Sequence, residues 1–424
     1  MTMDLINSLR DSGLYSPEEI ASLEEELKGI AGGSQEQMQA LIERERITAY
    51  QLRKVVNGRS ADLLIGPYVV QDKLGEGGMG KVFRALHKHD GREVALKVVR
   101  EHLLAKPTAR GRYEREVQTA LTLSHPNIIH VASAGSTDGR YFIEMEFIDG
   151  LDLSRIVQRY GVLPISEACE YARQAALGLH HAHELGFVHR DVKPSNIMVG
   201  GSRHIPAAKE PAWVKVLDMG LVRMIGYDDE ERGLTRDGTV VGTPDYMAPE
   251  QAKNSRVVDG RADLYSLGAT FYFMLSGKPP FPDGTALDKI IRHVDHLPPP
   301  LESLRPDAPR ELVQIVDRLM AKNPDQRFDT ALDLAEALKP LTYFATDRLA
   351  SEEYAKKLSG TILQPADMET LAATDATESV QEGAGEKLAL GGWRSWSTGT
   401  VVGIVIVTIL ALIILALVAR VAFG

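Results

Sequence analysis

A single cysteine, Cys169, occurs in 424 residues. An intramolecular disulfide is therefore excluded, and the chain suits a reducing compartment. Basic residues are no more plentiful than acidic ones: 48 Lys and Arg against 58 Asp and Glu leave a formal charge of −10. That balance argues against a nucleic-acid partner, which usually demands a basic domain or stripe. No long apolar run opens the chain, and Asp4 interrupts its start, so a secretory signal is not expected there. Internal repeats are missing too. The composition, 44% hydrophobic and 25% charged, excludes a collagen-like, wholly disordered or disulfide-scaffold chain.

What the mean hydropathy of −0.14 conceals is an apolar tail. Residues 400–419 carry no charge. As a helix, such a stretch reaches about 30 Å, the thickness of a hydrocarbon core. Trp393 and Trp396 precede it at headgroup depth, and Arg420 follows it. A membrane-spanning helix is expected at 400–419. Its flanking charges leave the orientation open. Gly403 is the one glycine inside it, so no G-x-x-x-G pattern specifies a helix pair. Residues 346–391, with nine acidic and four basic residues and no apolar period, read as an acidic flexible linker.

At the other end, Ser16-Pro-Glu-Glu19 has the form of a capping box with proline at the first helical position. Ile20, Leu23, Leu27 and Ile30 then share one helical face. Further helices are expected around 35–45 and 48–56, the last stopped by Asn57-Gly58. Residues 1–60 thus read as a small helical module.

The chemistry lies between these ends. Tyr68 to Leu74 reads as a strand, followed by Gly75-Glu76-Gly77-Gly78-Met79-Gly80-Lys81-Val82 and a return strand. Glycines between strands let backbone N–H groups approach phosphates without Cβ interference. A dinucleotide fold would need a helix after the glycines, and here strand resumes. Glu93-Val-Ala95-Leu-Lys97 is an apolar strand ending on a lysine that needs an anionic partner. Glu116, in the helical run 112–123, is a candidate, with Glu114 the neighbour to exclude; spacing alone does not choose. His189-Arg190-Asp191-Val-Lys193-Pro-Ser-Asn196 joins a carboxylate, a lysine and an amide in one segment. Asp191 can take a hydroxyl proton, Lys193 can neutralise phosphoryl charge and Asn196 can ligate magnesium. Asp218, after an apolar strand and before Met219-Gly220, suits metal chelation.

With Ala248-Pro249-Glu250, these stretches resemble the signature set of eukaryotic-type (Hanks-type) serine/threonine protein kinases over roughly residues 65–341, closest in flavour to bacterial membrane-anchored members. The resemblance implies an α+β bilobal fold: a five-stranded antiparallel-sheet lobe with one helix above a larger helical lobe, with ATP and Mg2+ between them. Leu74 and Val82 would cover adenine and ribose, and Ala95 would pack on the adenine. Lys97 would hold phosphates and pair with Glu116. Met145 matches the gatekeeper, and the backbones of Glu146 and Ile148 would bond the adenine edge. Asp191 matches the catalytic base, Lys193 the phosphate contact, and Asn196 and Asp218 the metal ligands. Thr243 would bond Asp191 and Lys193 beside the target hydroxyl. Asp263 resembles the anchor of the catalytic loop, and Arg327 the partner of Glu250.

By the same resemblance, Arg190 would meet a phosphorylated Thr235 or Thr239, with Thr239 preferred. Departures are Met219 where Phe is usual, a long stretch over 200–212, and Glu144 in an apolar strand, expected to face solvent. His181 and His183 have no metal-ligand company and read as structural or surface residues. The implied activity is transfer of the ATP γ-phosphoryl group to protein serine or threonine hydroxyls. A pseudokinase scaffold at the membrane and a small-molecule kinase are the alternatives. Access to ATP would place the catalytic domain in the cytoplasm, with a single pass of the plasma membrane and the C-terminus outside. Protein substrates are the implied partners, and a homodimer would serve trans-autophosphorylation.

Overall fold

A computed structural model describes residues 2–30, 33–201, 212–219, 244–253 and 258–343. Four helices open the chain. The first, α1 (Thr2–Asp11), is one that the sequence pattern leaves unassigned, yet its Leu5, Ile6 and Leu9 are all buried. At α2 (Pro17–Lys28) the Ser16 hydroxyl accepts from Glu19 N while the Glu19 carboxylate accepts from Ser16 N, closing the expected box. After α3 (Ser34–Glu43), Thr48 and Gln51 repeat that exchange at α4 (Ala49–Val56). Asn57 C-caps this last helix, and Gly58 follows at φ 68°.

Six antiparallel strands come next: β1 (Leu64–Ile65), β2 (Tyr68–Gly77), β3 (Gly80–His87), β4 (Glu93–Val99), β5 (Val131–Thr137) and β6 (Arg140–Glu146), in the order β1-β2-β3-β4-β6-β5. Five strands were expected; the two-residue β1 extends the sheet by pairing with the start of β2. Strand β4 explains the apolar run around Lys97. Its side chains alternate, and both faces of the sheet are covered. Ala95 and Val99 pack with Tyr113, Val117 and Ala120 of α5 (Pro107–Ala120). Val94 and Leu96 pack instead with Leu52 and Val55 of α4 and with α1 and α2. The N-terminal helices therefore share one core with the sheet.

The larger lobe begins at β7 (Gly150–Asp152) and α6 (Leu153–Tyr160), the latter capped by Asp152 accepting from Arg155 N at 2.9 Å. Its central helix, α7 (Ile165–Glu184), offers small buried residues, Ala168, Cys169, Ala172, Ala175 and Ala176, so neighbours approach closely. Two short strands, β8 (Ile197–Gly200) and β9 (Trp213–Val216), join β7 in a three-stranded sheet of order β7-β8-β9. Helices α8 (Pro249–Lys253), α9 (Arg261–Ser276), α10 (Ala286–Asp295), α11 (Leu301–Leu304), α12 (Arg310–Leu319) and α13 (Ala331–Leu338) complete the lobe. Gly277, at φ 78°, ends α9 in the left-handed conformation. The arrangement is a bilobal α+β fold.

Thr235, Thr239, Thr243, Gly220, most of the 200–212 stretch, the 346–391 linker and the apolar tail lie outside the described residues. Among the described residues, no helix is long and apolar enough to cross a membrane.

Candidate active site

The β2–β3 hairpin forms the roof. Its register pairs Gly77 with Gly80 across the turn. The glycines serve two needs. A Cβ on Gly80 would collide with the Val98 carbonyl, so close backbone approach demands glycine there. A Cβ on Gly75, Gly77 or Gly78 would meet nothing within 4 Å. Packing inside the chain does not explain those three; an open cradle for phosphates does. Met79 O accepts from Arg100 N at 3.0 Å, which ties the loop tip to the end of β4. Glu76 gathers Arg100 at 2.7 Å, Lys73 at 2.9 Å and Lys81 at 3.8 Å. Burial raises its carboxyl, but the Lys73 hydrogen bond and the surrounding cations outweigh it and hold it below the usual range.

Leu74, Met79 and Val82 of the roof join Ala95, Met145 and Ile148 in one apolar cluster, with Met198 and Leu217 reaching it from the larger lobe. Strand pairing sets Ala95 beside Met145. At the connection between lobes, Glu146 N donates to His130 O at 3.0 Å. Ile148 follows, and its backbone N–H and C=O make no hydrogen bond among the described residues. Apolar side chains edged by an unpaired donor and acceptor suit an adenine ring.

Lys97 is 5% exposed and needs a counter-charge. The structure supplies Asp218, whose Oδ1 lies 2.7 Å from Lys97 Nζ. Lys97 and Glu116, the expected pair, form no ion pair among the described residues. Glu116 does lie on the inner side of α5, half-buried where Glu114 is exposed, and it interacts elsewhere. With Asp218 in reach, the ammonium is balanced from the loop after β9. Asp218 itself sits at φ 53°, a left-handed conformation that aspartate tolerates. Burial raises its carboxyl; Lys97 counters through charge and hydrogen bond, helped by His189 and Lys193, and the net result lies below the ordinary value.

The catalytic-loop residues converge on one carboxylate. Lys193 Nζ donates to Asp191 Oδ2 at 2.7 Å, and Asn196 Nδ2 donates to the same oxygen at 3.0 Å and to Asp191 O at 2.8 Å. Asp191 Oδ1 makes no hydrogen bond among the described residues, so it is the oxygen left to accept a proton. The Asn196 amide is oriented by those donations, which leave Oδ1 for a metal. Together with Asp218 Oδ2, this oxygen donor set suits Mg2+.

A buried frame holds the loop. Asp263, with a fully buried side chain, accepts from His189 N at 2.8 Å, Arg190 N at 2.7 Å and His183 Nε2 at 2.8 Å. Arg190 is held at φ 64°, an uncommon conformation for a side-chain-bearing residue, and Gln251 Nε2 donates to its carbonyl at 2.8 Å. The Leu217 carbonyl can only accept, so His189 Nε2, 2.7 Å away, carries the proton, and its Nδ1 accepts from Asp191 N at 3.2 Å. Leu217 N in turn donates to Asn196 O at 2.8 Å, which fixes the residue before Asp218 to the loop. Further out, Arg327 donates to both Glu250 oxygens, at 2.6 and 2.9 Å, and lies over the Tyr265 ring. Met219, in the usual place of phenylalanine, is buried in the larger core.

Two residues behave otherwise than expected. Glu144 is buried, at 5% exposure, not solvent-facing. Tyr68 and Ser133 hydroxyls donate to its Oε2 at 2.9 and 2.5 Å, and Arg92 stands 3.6 Å from Oε1. His183 is one of the donors to Asp263, a role its helical context did not reveal. Met198 was also unmarked; its signal is the alternation within Ile197-Met198-Val199, where both neighbours are buried and Met198 is left facing the cleft cluster.

A family model described as protein kinase domain matches residues 68–339. The chain is 40% identical over 263 residues to serine/threonine-protein kinase pkn3 of Myxococcus xanthus, a match covering 61% of this chain and 47% of that protein. It is 36% identical over 341 residues to serine/threonine-protein kinase PknD of Mycobacterium tuberculosis, covering 79% of this chain and 48% of that one. The chain thus spans about half the length of these curated relatives. The crystal structure of the Mycobacterium tuberculosis PknI kinase domain superposes with a TM-score of 0.50 at 28% identity, covering 66% of this chain and 97% of that domain. A phosphate cradle, a buried lysine–carboxylate pair and an Asp–Lys–Asn cluster on one scaffold accord with these matches: the chain belongs to the protein kinase family, among the Hanks-type serine/threonine kinases.

Proposed function

We propose that the protein is a membrane-anchored kinase that transfers the ATP γ-phosphoryl group to serine and threonine hydroxyls of proteins. The observation that carries this reading is the convergence of Lys193 and Asn196 on Asp191 Oδ2, with Oδ1 left over. A substrate hydroxyl placed at Oδ1 gives up its proton there as its oxygen bonds the γ-phosphorus. The bond from that phosphorus to the β–γ bridging oxygen breaks, and ADP departs. Lys193 offsets charge on the moving phosphoryl group, while Lys97 binds the non-reacting phosphates. Asn196 and Asp218 would hold magnesium, which when bound would supply charge neutralisation at the phosphates. Leu74, Val82, Ala95, Met145 and Met198 exclude water around the base.

The preference for serine and threonine rests on Lys193 and Thr243 in the family pattern and on the names of the relatives. Labelled ATP offered to the full-length chain tests the activity: transfer that survives Asp191→Asn unchanged would refute it. Anchoring rests on the uncharged stretch 400–419, with the catalytic lobes cytoplasmic because ATP is there. Alkaline extraction of membranes tests it. The full chain should stay with lipid and a chain ended at residue 345 should be released; equal release would refute the anchor. Autophosphorylation is assigned to Thr239, which the family pattern would bring to Arg190 once phosphorylated, and a homodimer would favour it in trans. Phosphopeptide maps showing Thr235 alone modified would overturn that choice.

A further inference from the structure

The nucleotide-side face of the small-lobe sheet is served by α5, and the opposite face by the N-terminal helices. Strand β2 runs between these environments and leads directly into the glycine loop. It is not a regular strand: its register with β3 slips between Lys73 and Gly75, at the loop itself, and between Val70 and Asp72, further back. A bulge bends the strand that carries it and re-aims the residues beyond it. The carbonyls at the Val70–Asp72 bulge are claimed from α4. Gln51 Nε2 donates to Val70 O at 2.7 Å, and Thr48 Oγ1 donates to Gln71 O at 2.5 Å.

The two donors are themselves locked. Thr48 N donates to Gln51 Oε1 and Gln51 N to Thr48 Oγ1, each at 3.1 Å. Gln51 therefore has one orientation, its oxygen spent on the helix cap and its nitrogen on the strand, and it is only 5% exposed. Helix capping alone would explain the oxygen, not the nitrogen. Leu74, which lines the cleft, lies three residues beyond Gln71. Leu52 and Val55 of the same helix share a core cluster with Val70, Phe83 and Ala85.

We propose that Thr48 and Gln51 are positioning residues for the nucleotide site: they pin the β2 bulge and so set how the glycine loop hangs over the phosphates. The inference rests on the ATP-binding reading above and extends it to a module that lies before the region matched by the family model. Input to the N-terminal helices would reach the loop through these two hydrogen bonds.

The test uses the full-length protein, titrated with Mg-ATP for affinity and assayed with a generic basic protein for KM. Gln51→Glu keeps the capping oxygen and loses the donor to Val70. Thr48→Val loses the hydroxyl, and Thr48→Ser keeps it. Leu52→Ala serves as a control that weakens packing without touching either carbonyl. Gln51→Glu and Thr48→Val should weaken ATP binding about fivefold or more, the scale of one lost hydrogen bond, with protein-substrate KM unchanged. Thr48→Ser should bind as wild type, and Leu52→Ala should lower thermal stability while leaving ATP affinity alone. Wild-type affinity in Gln51→Glu and Thr48→Val, or an equal loss in Leu52→Ala, would overturn the positioning role alone. A wild-type chain that binds ATP but transfers nothing would refute the kinase reading and leave this test intact. A wild-type chain that does not bind ATP would refute both.

Discussion

Lys97 Nζ stands 2.7 Å from Asp218 Oδ1, so the cleft's buried cation is balanced by the residue expected to ligate magnesium. The two partners are unequal. Lys97 is nearly fully buried, whereas 30% of the Asp218 side chain is exposed. Asp218→Asn strands an ammonium in the cleft and should cost about 1–3 kcal/mol. Lys97→Met leaves a carboxylate that water can reach and should cost less. Urea unfolding of the two variants reads the difference, and both should lose phosphoryl transfer. Equal stability losses would contradict the asymmetry.

Arg327 is buried with Glu250 and supports the segment after residue 243. Arg327→Met leaves Glu250 without its bidentate partner and should destabilise the chain by about 3–5 kcal/mol. Arg327→Lys should recover only part of that, because an ammonium cannot reproduce the fork to both oxygens and to the Arg261 carbonyl. Thermal midpoints measured in one buffer give the ranking.

Burial pushes the His293 imidazole down to about 4, even though the Asp245 carbonyl 2.9 Å from Nε2 favours its protonated form. The unfolded ring titrates near 6.5. Between these values the unfolded chain binds more protons, so this contribution is complete above about pH 6.5 and is lost as pH falls towards 4. The integrated effect is on the order of 3 kcal/mol. His293→Gln should flatten the fall in stability between pH 6.5 and 4; an unchanged slope would contradict it.

Removing residues 1–59 should expose Val70, Ala85 and Leu96, each 0% exposed in the intact chain. The remaining chain should be insoluble or melt well below the full protein. A stable, soluble product with unchanged melting would show that the helical module is an independent appendage.

Local chemistry was legible in the sequence because kinase motifs are compact. Gly75 to Val82, His189 to Asn196 and the capping box at Ser16 all depend on neighbours within a few residues. Relationships across the fold were less legible. Glu144 looked solvent-facing because its strand context was apolar, yet its donors come from Tyr68 and Ser133 on other strands. Glu116 could be separated from Glu114 only once α5 had a buried side, and Lys97 meets Asp218, 121 residues away. The apolar faces of the N-terminal helices showed that they must pack on something. Nothing in their spacing said that it would be the back of the nucleotide-binding sheet.

The most direct measurement is phosphoamino-acid analysis of the full-length protein and a generic basic protein after incubation with γ-labelled Mg-ATP, run beside Asp191→Asn. Labelled phosphoserine or phosphothreonine in the wild type, reduced at least about a hundredfold in a folded Asp191→Asn variant, is the expected result. Equal labelling in the two proteins, or none in a wild type that binds ATP, would contradict it.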